Sequence, residues 1–260
     1  MKPRLFIFGL GYSAGRIATA ADARGWEVLS TGRSGTLAFD DDGAVRIALA
    51  DSDQVLSSVP PAADGDPVLD RYGAALAGKS LTYLSSTGVY GDCGGAWVDE
   101  SAPTGTGRRT TRSEADAEWL ARGARVLRLP GIYGPGRSAL DRVREGAARR
   151  IDVAGQVFSR VHVDDIVGGA LLAFGAPPGA YNLADDQPCS QNAVIEHACR
   201  LLGQPPPPLQ SLEAANLSPQ ARAFYAENRR VANGKAKRVL GWTPRYPTYR
   251  EGLAALLAAA

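Results

Sequence analysis

Short apolar runs, glycine turns and amphipathic stretches alternate along this chain, and that alternation predicts its architecture. Residues 5–8 (Leu-Phe-Ile-Phe) are wholly apolar, as a strand buried on both faces of a parallel sheet would be. Residues 16–24 have helix composition, with Gly25 where a helix C-cap belongs. Residues 26–30 read as a second strand, 44–48 as a third and 55–59 as a fourth. The last two stand too close, because a parallel crossover normally takes about a dozen residues or more, usually helical. Either a helix is missing there or one of the two is not a strand. Pro60-Pro61 ends the fourth run, Pro67 opens a helix reaching Leu76 with Gly78 beyond, and Ser80–Ser86 is a fifth strand. Further on, Ser190 can cap a helix to Leu202, and Pro205 to Pro208 form a stiff linker. Ser218-Pro219 opens another helix, and Thr248 with Glu251 makes a capping box for the last. The pattern predicts an α/β fold: a doubly wound parallel sheet over residues 1–185 and a small α-rich lobe over 186–260. Residues of about 130–160 are expected to contribute partly to that lobe.

The first strand runs directly into Gly9-Leu10-Gly11-Tyr12-Ser13-Ala14-Gly15, and a strand, a glycine turn and a helix in that order form a dinucleotide-binding fingerprint. Gly9 permits the tight turn, and Gly11 leaves no side chain where a pyrophosphate must approach the backbone. Ala14 keeps the helix close to the strand, so that the N–H groups around Tyr12 and Ser13 face the phosphates. What ends the second strand selects the cofactor. An acidic residue would accept from a ribose 2′-OH, whereas Arg33, with Ser34 beside it, suits a 2′-phosphate and favours NADP(H) over NAD. Asp51 is expected near the adenine, and Pro60 and Ser85, at the ends of later strands, near the rest of the cofactor.

Composition narrows the classes. The 260 residues are 45% hydrophobic and 22% charged with a net charge of +2, ordinary for a globular protein and without the clustered cations of a nucleic-acid surface. The short cluster Arg108, Arg109 and Arg112 reads as a solvated face. No run of about 18 apolar residues suggests a membrane span, and the residues before the first strand do not resemble a cleavable leader. Cys93, Cys189 and Cys199 have no metal-ligand spacing, so reduced thiols in a cytoplasm are expected and no metal.

"SSTGVYGD" after the fifth strand resembles the strand-to-loop motif of the extended short-chain dehydrogenases/reductases, the epimerase/dehydratase family. "LRLPGIYGPGR" (127–137), "VHVDDIVGGALLA" (161–173), "YNLADDQPCS" (181–190) and "NGKAKRVLGWTPRYPTYREGL" (233–253) resemble later family motifs in the same order. The resemblance implies an NAD(P)-binding Rossmann domain and an oxidoreductase or epimerase acting on a small polar or nucleotide-linked substrate. It also exposes a departure. The family's Tyr-x-x-x-Lys pair falls on Thr110 and Glu114, and neither can act as the acid/base phenol or its cation. The acidic pair of the dehydratase branch falls on Thr87 and Gly88, which disfavours dehydration. Only the family serine carries over, onto Ser86, which either bonds the substrate or caps local backbone. Tyr90 and Tyr133 are candidate replacements for the lost phenol, while His162 is expected to be a hydrogen-bonded residue beside the helix opened by Asp164-Asp165. Arg222, Arg229, Arg230 and Arg245 could meet an anionic substrate. The resemblance further implies a homodimer through the helices at 67–76 and 110–122. A non-catalytic NADP(H)-binding regulator or scaffold is the alternative function.

Overall fold

A computed structural model describes residues 2–107 and 110–259, so Arg108 and Arg109 lie outside the described residues. Strand β1 (Arg4–Phe8) leads through the glycine turn into α1 (Tyr12–Asp22), followed by β2 (Glu27–Ser30), α2 (Asp42–Ala50), β3 (Gln54–Ser57), α3 (Pro67–Tyr72) and β4 (Ser80–Ser86). A short β5 (Trp97–Val98) precedes α4 (Thr110–Ala121), β6 (Arg125–Leu129), β7 (Gly131–Tyr133) and α5 (Ala139–Arg144). Then come β8 (Arg150–Ile151), β9 (Arg160–His162), α6 (Val163–Ala173), β10 (Gly179–Asn182) and α7 (Gln191–Leu201). The chain ends with β11 (Leu209–Gln210), α8 (Pro219–Phe224), β12 (Arg230–Val231), α9 (Gly234–Leu240) and α10 (Tyr249–Ala258).

Six strands form one parallel sheet in the order β10-β6-β4-β3-β1-β2. The order reverses between β1 and β3, and in such sheets ligands bind outside the carboxyl ends of the strands at that point. Helices α1 and α6 cover one face through Ala14, Ile17, Ile166 and Ala170. Helices α2, α3 and α4 cover the other through Val45, Leu49, Leu69 and Trp119. The predicted class therefore holds, with one strand fewer than the pattern suggests. Residues 44–48 lie inside helix α2, whose N-cap Asp41 accepts the Ala44 N–H at 3.1 Å. No helix is missing between strands; the crowded third strand is the crossover helix itself.

The correction moves Asp51. As the C-cap residue of α2 it sits at the amino end of the sheet, 3.6 Å from Arg4, on the side away from the glycine turn. It cannot meet an adenine held at the carboxyl ends. A third core, of Leu140, Val143, Ile195, Ala198, Tyr249 and Leu253, joins α5, α7 and α10 into an α-rich lobe. Three short parallel pairs lie outside that sheet: β5 with β12, β7 with β9, and β8 with β11. Among the described residues no helix is long and apolar enough to cross a membrane, and no cluster of His, Cys, Asp or Glu could hold a metal.

Candidate functional site

The glycine turn is built on the switch point. Gly9 has φ +81°, accessible to glycine at no steric cost, and its N–H and that of Leu10 both donate to the Thr31 carbonyl at 3.1 and 3.0 Å. Ser58, just past β3, donates to the Gly9 carbonyl at 2.5 Å. Gly11 is the N-cap of α1 and offers no side-chain cap, so the N–H groups of the first turn stay available to a ligand. A Cβ at Gly11 would touch nothing within 4 Å, which leaves open room over those donors. Tyr12 reaches across the turn and donates to the Pro135 carbonyl at 3.1 Å. Gly134 is required there, because a Cβ would lie 2.6 Å from the Tyr12 hydroxyl oxygen. Arg33 and Ser34 are exposed on the loop after β2, and Arg33 makes no bond or ion pair with a described residue.

From this cradle one cleft of about 910 Å³ runs past Ser58, Ser85, Ser86 and Thr87 into the lobe. Tyr12, Ser13 and Ala14 line its near end, and Pro60, exposed two residues beyond Ser58, stands outside its walls. Ser86 caps the short 3-10 turn Thr87–Tyr90 by accepting the Gly88 N–H at 3.1 Å. Its hydroxyl proton stays free for a second partner in the cleft. Ser85 is committed instead: it is buried and donates to Asp116 at 2.6 Å. Asp116 also forms a buried ion pair with Arg128 at 2.7 Å, one that the sequence reading did not single out. The signal was present, since an arginine inside the apolar strand "RVLRL" needs a charged partner.

The two candidate phenols fall elsewhere than the loops suggest. Tyr90 is buried and absent from the cleft wall; its hydroxyl donates to Asn182 at 2.8 Å and accepts from Arg128 at 3.0 Å. Burial pushes its phenol up, against the pull of Arg128. With both hydrogen-bonding capacities used, Tyr90 is structural. Tyr133 lines the cleft, but its hydroxyl turns toward Gly252 of α10 and has no partner among the described residues. Burial raises this phenol strongly, and Asp185 and Asp165 add to the effect, so Tyr133 does not release a proton near neutrality.

Helix α4 also departs from the expected arrangement. Thr110 and Glu114 are exposed and do not line the cleft. The residue that α4 presents to the cleft is Arg112, which donates to the Tyr83 hydroxyl at 2.8 Å. His162 behaves as expected, with Nδ1 accepting the Asp164 N–H at 3.1 Å as the N-cap of α6. Of Arg222, Arg229, Arg230 and Arg245, only Arg229 reaches the cleft, where it pairs with Glu227 at 3.0 Å. Arg137, Arg142, Arg149 and Arg160 also line it.

No family model matches the chain. It is 33% identical over 163 residues to a 3-diazoavenalumate denitrifying reductase of a Streptomyces species, a match covering 55% of this chain and 52% of that protein. The chain thus spans about half the length of this curated relative. A functionally unknown conserved protein from Silicibacter pomeroyi is 39% identical with a TM-score of 0.89, covering 100% of this chain and 99% of the other. A structure described as a NAD-dependent epimerase/dehydratase from Methylobacillus flagellatus has 23% identity and a TM-score of 0.77, covering 100% and 99% of the two chains. A human epimerase family protein solved with NADPH has 17% identity and the same TM-score of 0.77, covering 99% and 100%.

Proposed function

The chain has the fold of the epimerase/dehydratase neighbours, and we propose that it is an atypical member of the extended short-chain dehydrogenases/reductases and an NADP(H)-dependent reductase. The observation that carries the reading is the single cleft that joins the uncapped α1 N-terminus, Ser86 and an arginine-bearing lobe. The residues fit the cofactor. Gly9, Gly11, Ser13 and Ala14 would hold the pyrophosphate, and the unpaired Arg33 favours a 2′-phosphate. The reductase name of the Streptomyces relative and the NADPH of the human neighbour support the same direction.

When bound, the nicotinamide supplies hydride chemistry. The chain's own residues bind and polarise. Ser86, with its oxygen already fixed by the Gly88 N–H, donates to the substrate atom that gains charge. Arg112 adds a fixed cation to the same wall. Thr110 and Glu114 take no part, and the lobe of α5, α7 and α10 covers the substrate. Neither Tyr90 nor Tyr133 turns its hydroxyl to the cleft, and no lysine lines it among the described residues, which favours a second reading, a regulator that binds NADP(H) without turnover.

Titration with NADPH and NADH is expected to show binding, tighter for NADPH, and Arg33→Ala to erase most of that preference. Absence of binding by either at millimolar concentration overturns the reading. Ser86→Ala is expected to lower a measured reduction on the order of tenfold to a thousandfold, with NADPH affinity kept. Tight NADPH binding without turnover across a broad substrate panel selects the regulator.

A further inference from the structure

The half of the cleft beyond the cofactor cradle has walls of an unusual kind for a hydroxyl-rich ligand. Val157, Phe158, Val194, Ile195 and Leu217 line it, together with Tyr225. Phe158 and Tyr225 meet edge to face, with ring centroids 5.5 Å apart and planes at 87°. Such a corner accepts a third ring on either aromatic face. The Tyr225 hydroxyl has no hydrogen bond to a described residue, and Arg142 and Arg160 act on it across the cleft.

The charges in this half are lopsided. Arg160 is spent on the carbonyls of Phe158 and Cys189, and Arg229 on Glu227 and the Gly91 carbonyl. Arg149 makes no bond with a described residue, and Arg142 gives only one N–H to the Ala147 carbonyl. Both are exposed at the wall. The carboxylates are mostly occupied: Asp141 closes the capping box of α5 with Ser138, and Glu227 holds Arg229. Glu145 is the exposed carboxylate left at this wall against two spare guanidinium groups, so beside the apolar faces the free charge is net positive.

We propose that the far half of the cleft is a subsite for a planar aromatic acid, its ring against Phe158 and Tyr225 and its anionic group at Arg142 and Arg149. The proposal rests on reading the cleft as the substrate site of an NADP(H) enzyme, and it names the substrate class. A single flat anion matches both features at once: the ring displaces water from apolar walls, and a planar carboxylate takes the guanidinium fork in bidentate fashion.

The test is calorimetric titration of the full chain, with and without saturating NADPH, using 4-hydroxycinnamate and UDP-glucose as probes. Saturable binding of 4-hydroxycinnamate is expected, with UDP-glucose weaker by at least tenfold. The double variant Arg142→Gln/Arg149→Gln, which changes only exposed side chains, is expected to lose tenfold or more in affinity for 4-hydroxycinnamate. Phe158→Leu is expected to lose a similar factor while retaining its far-ultraviolet dichroism. Binding of UDP-glucose as tight as that of 4-hydroxycinnamate overturns the proposal. So does 4-hydroxycinnamate binding that both sets of variants leave unchanged, or no such binding to a chain that does bind NADPH. Failure of NADPH alone, with 4-hydroxycinnamate still bound at these residues, overturns the cofactor reading and leaves the subsite standing.

Discussion

Asp185, just beyond β10, carries a carboxylate into a nearly dry setting. Its Oδ1 accepts the Gln187 N–H at 3.3 Å, and its Oδ2 has no partner among the described residues. Burial pushes this carboxyl up to about 7, against the pull of Arg160 and with a further push from Asp186 and Asp165. An unfolded aspartate titrates near 3.9. The folded chain therefore holds the proton more tightly, so the associated stability is full below about pH 4 and is lost as pH rises through 7. Asp185→Asn keeps the acceptor for Gln187 and cannot ionise. Scanning calorimetry is expected to give equal Tm values for the two chains at pH 4. At pH 8 the variant should melt higher, by on the order of 5 °C. Parallel losses in both chains between those pH values would trace the titration to another group. At this scale the sequence revealed residue types and not directions. "TGVY" and "GIYG" put Tyr90 and Tyr133 beside the right turns, but one hydroxyl points to Asn182 and the other to Gly252. A tyrosine in a loop has enough rotamer freedom that only the packing around it decides.

Among the elements, α10 is the one that sets how closely the lobe approaches β7. A Cβ at Gly252 would lie 2.1 Å from the Tyr133 hydroxyl oxygen and 2.7 Å from its ring. Alanine is better than glycine in a helix by about 1 kcal/mol, but overpacking a filled core costs about 1–3 kcal/mol. Gly252→Ala is thus expected to lower stability by up to about 2 kcal/mol in urea denaturation, and adding Tyr133→Leu to restore most of it. Stabilisation by the single change would show that α10 can slide outward freely. Most elements were legible because their periods and caps agree: β1 with α1, Pro67 opening α3, Ser190, and the Thr248–Glu251 box. Helix α2 was misread because "AVRIA" within it fits alternation as well as it fits a helix. Over nine residues with Asp41 as cap, the helical period wins.

At the scale of the molecule, the homodimer implied by the family resemblance meets polar surfaces. Asp70 and Arg71 are exposed on α3, as are Glu114 and Glu118 on α4. A two-fold axis between these helices would bring like carboxylates together without an apolar seam. Sedimentation equilibrium at micromolar concentration is expected to show a monomer; a dimer that Glu118→Arg disrupts would place the interface on α4 after all. The short pair of β5 with β12 has a consequence in the order of synthesis. Cys93 and Gly95 donate to the Asn228 carbonyl, and Ala232 donates to that of Val98, so this segment is fastened by residues more than a hundred positions downstream. At about 5–20 residues per second on the ribosome, that delay is on the order of ten seconds. The parallel sheet, whose last strand ends at Asn182, can close during that wait, whereas the wall carrying Tyr225 cannot yet exist. A nascent chain would therefore complete the α1 cradle first, and bring the far end of the cleft together only when residues 219–232 arrive.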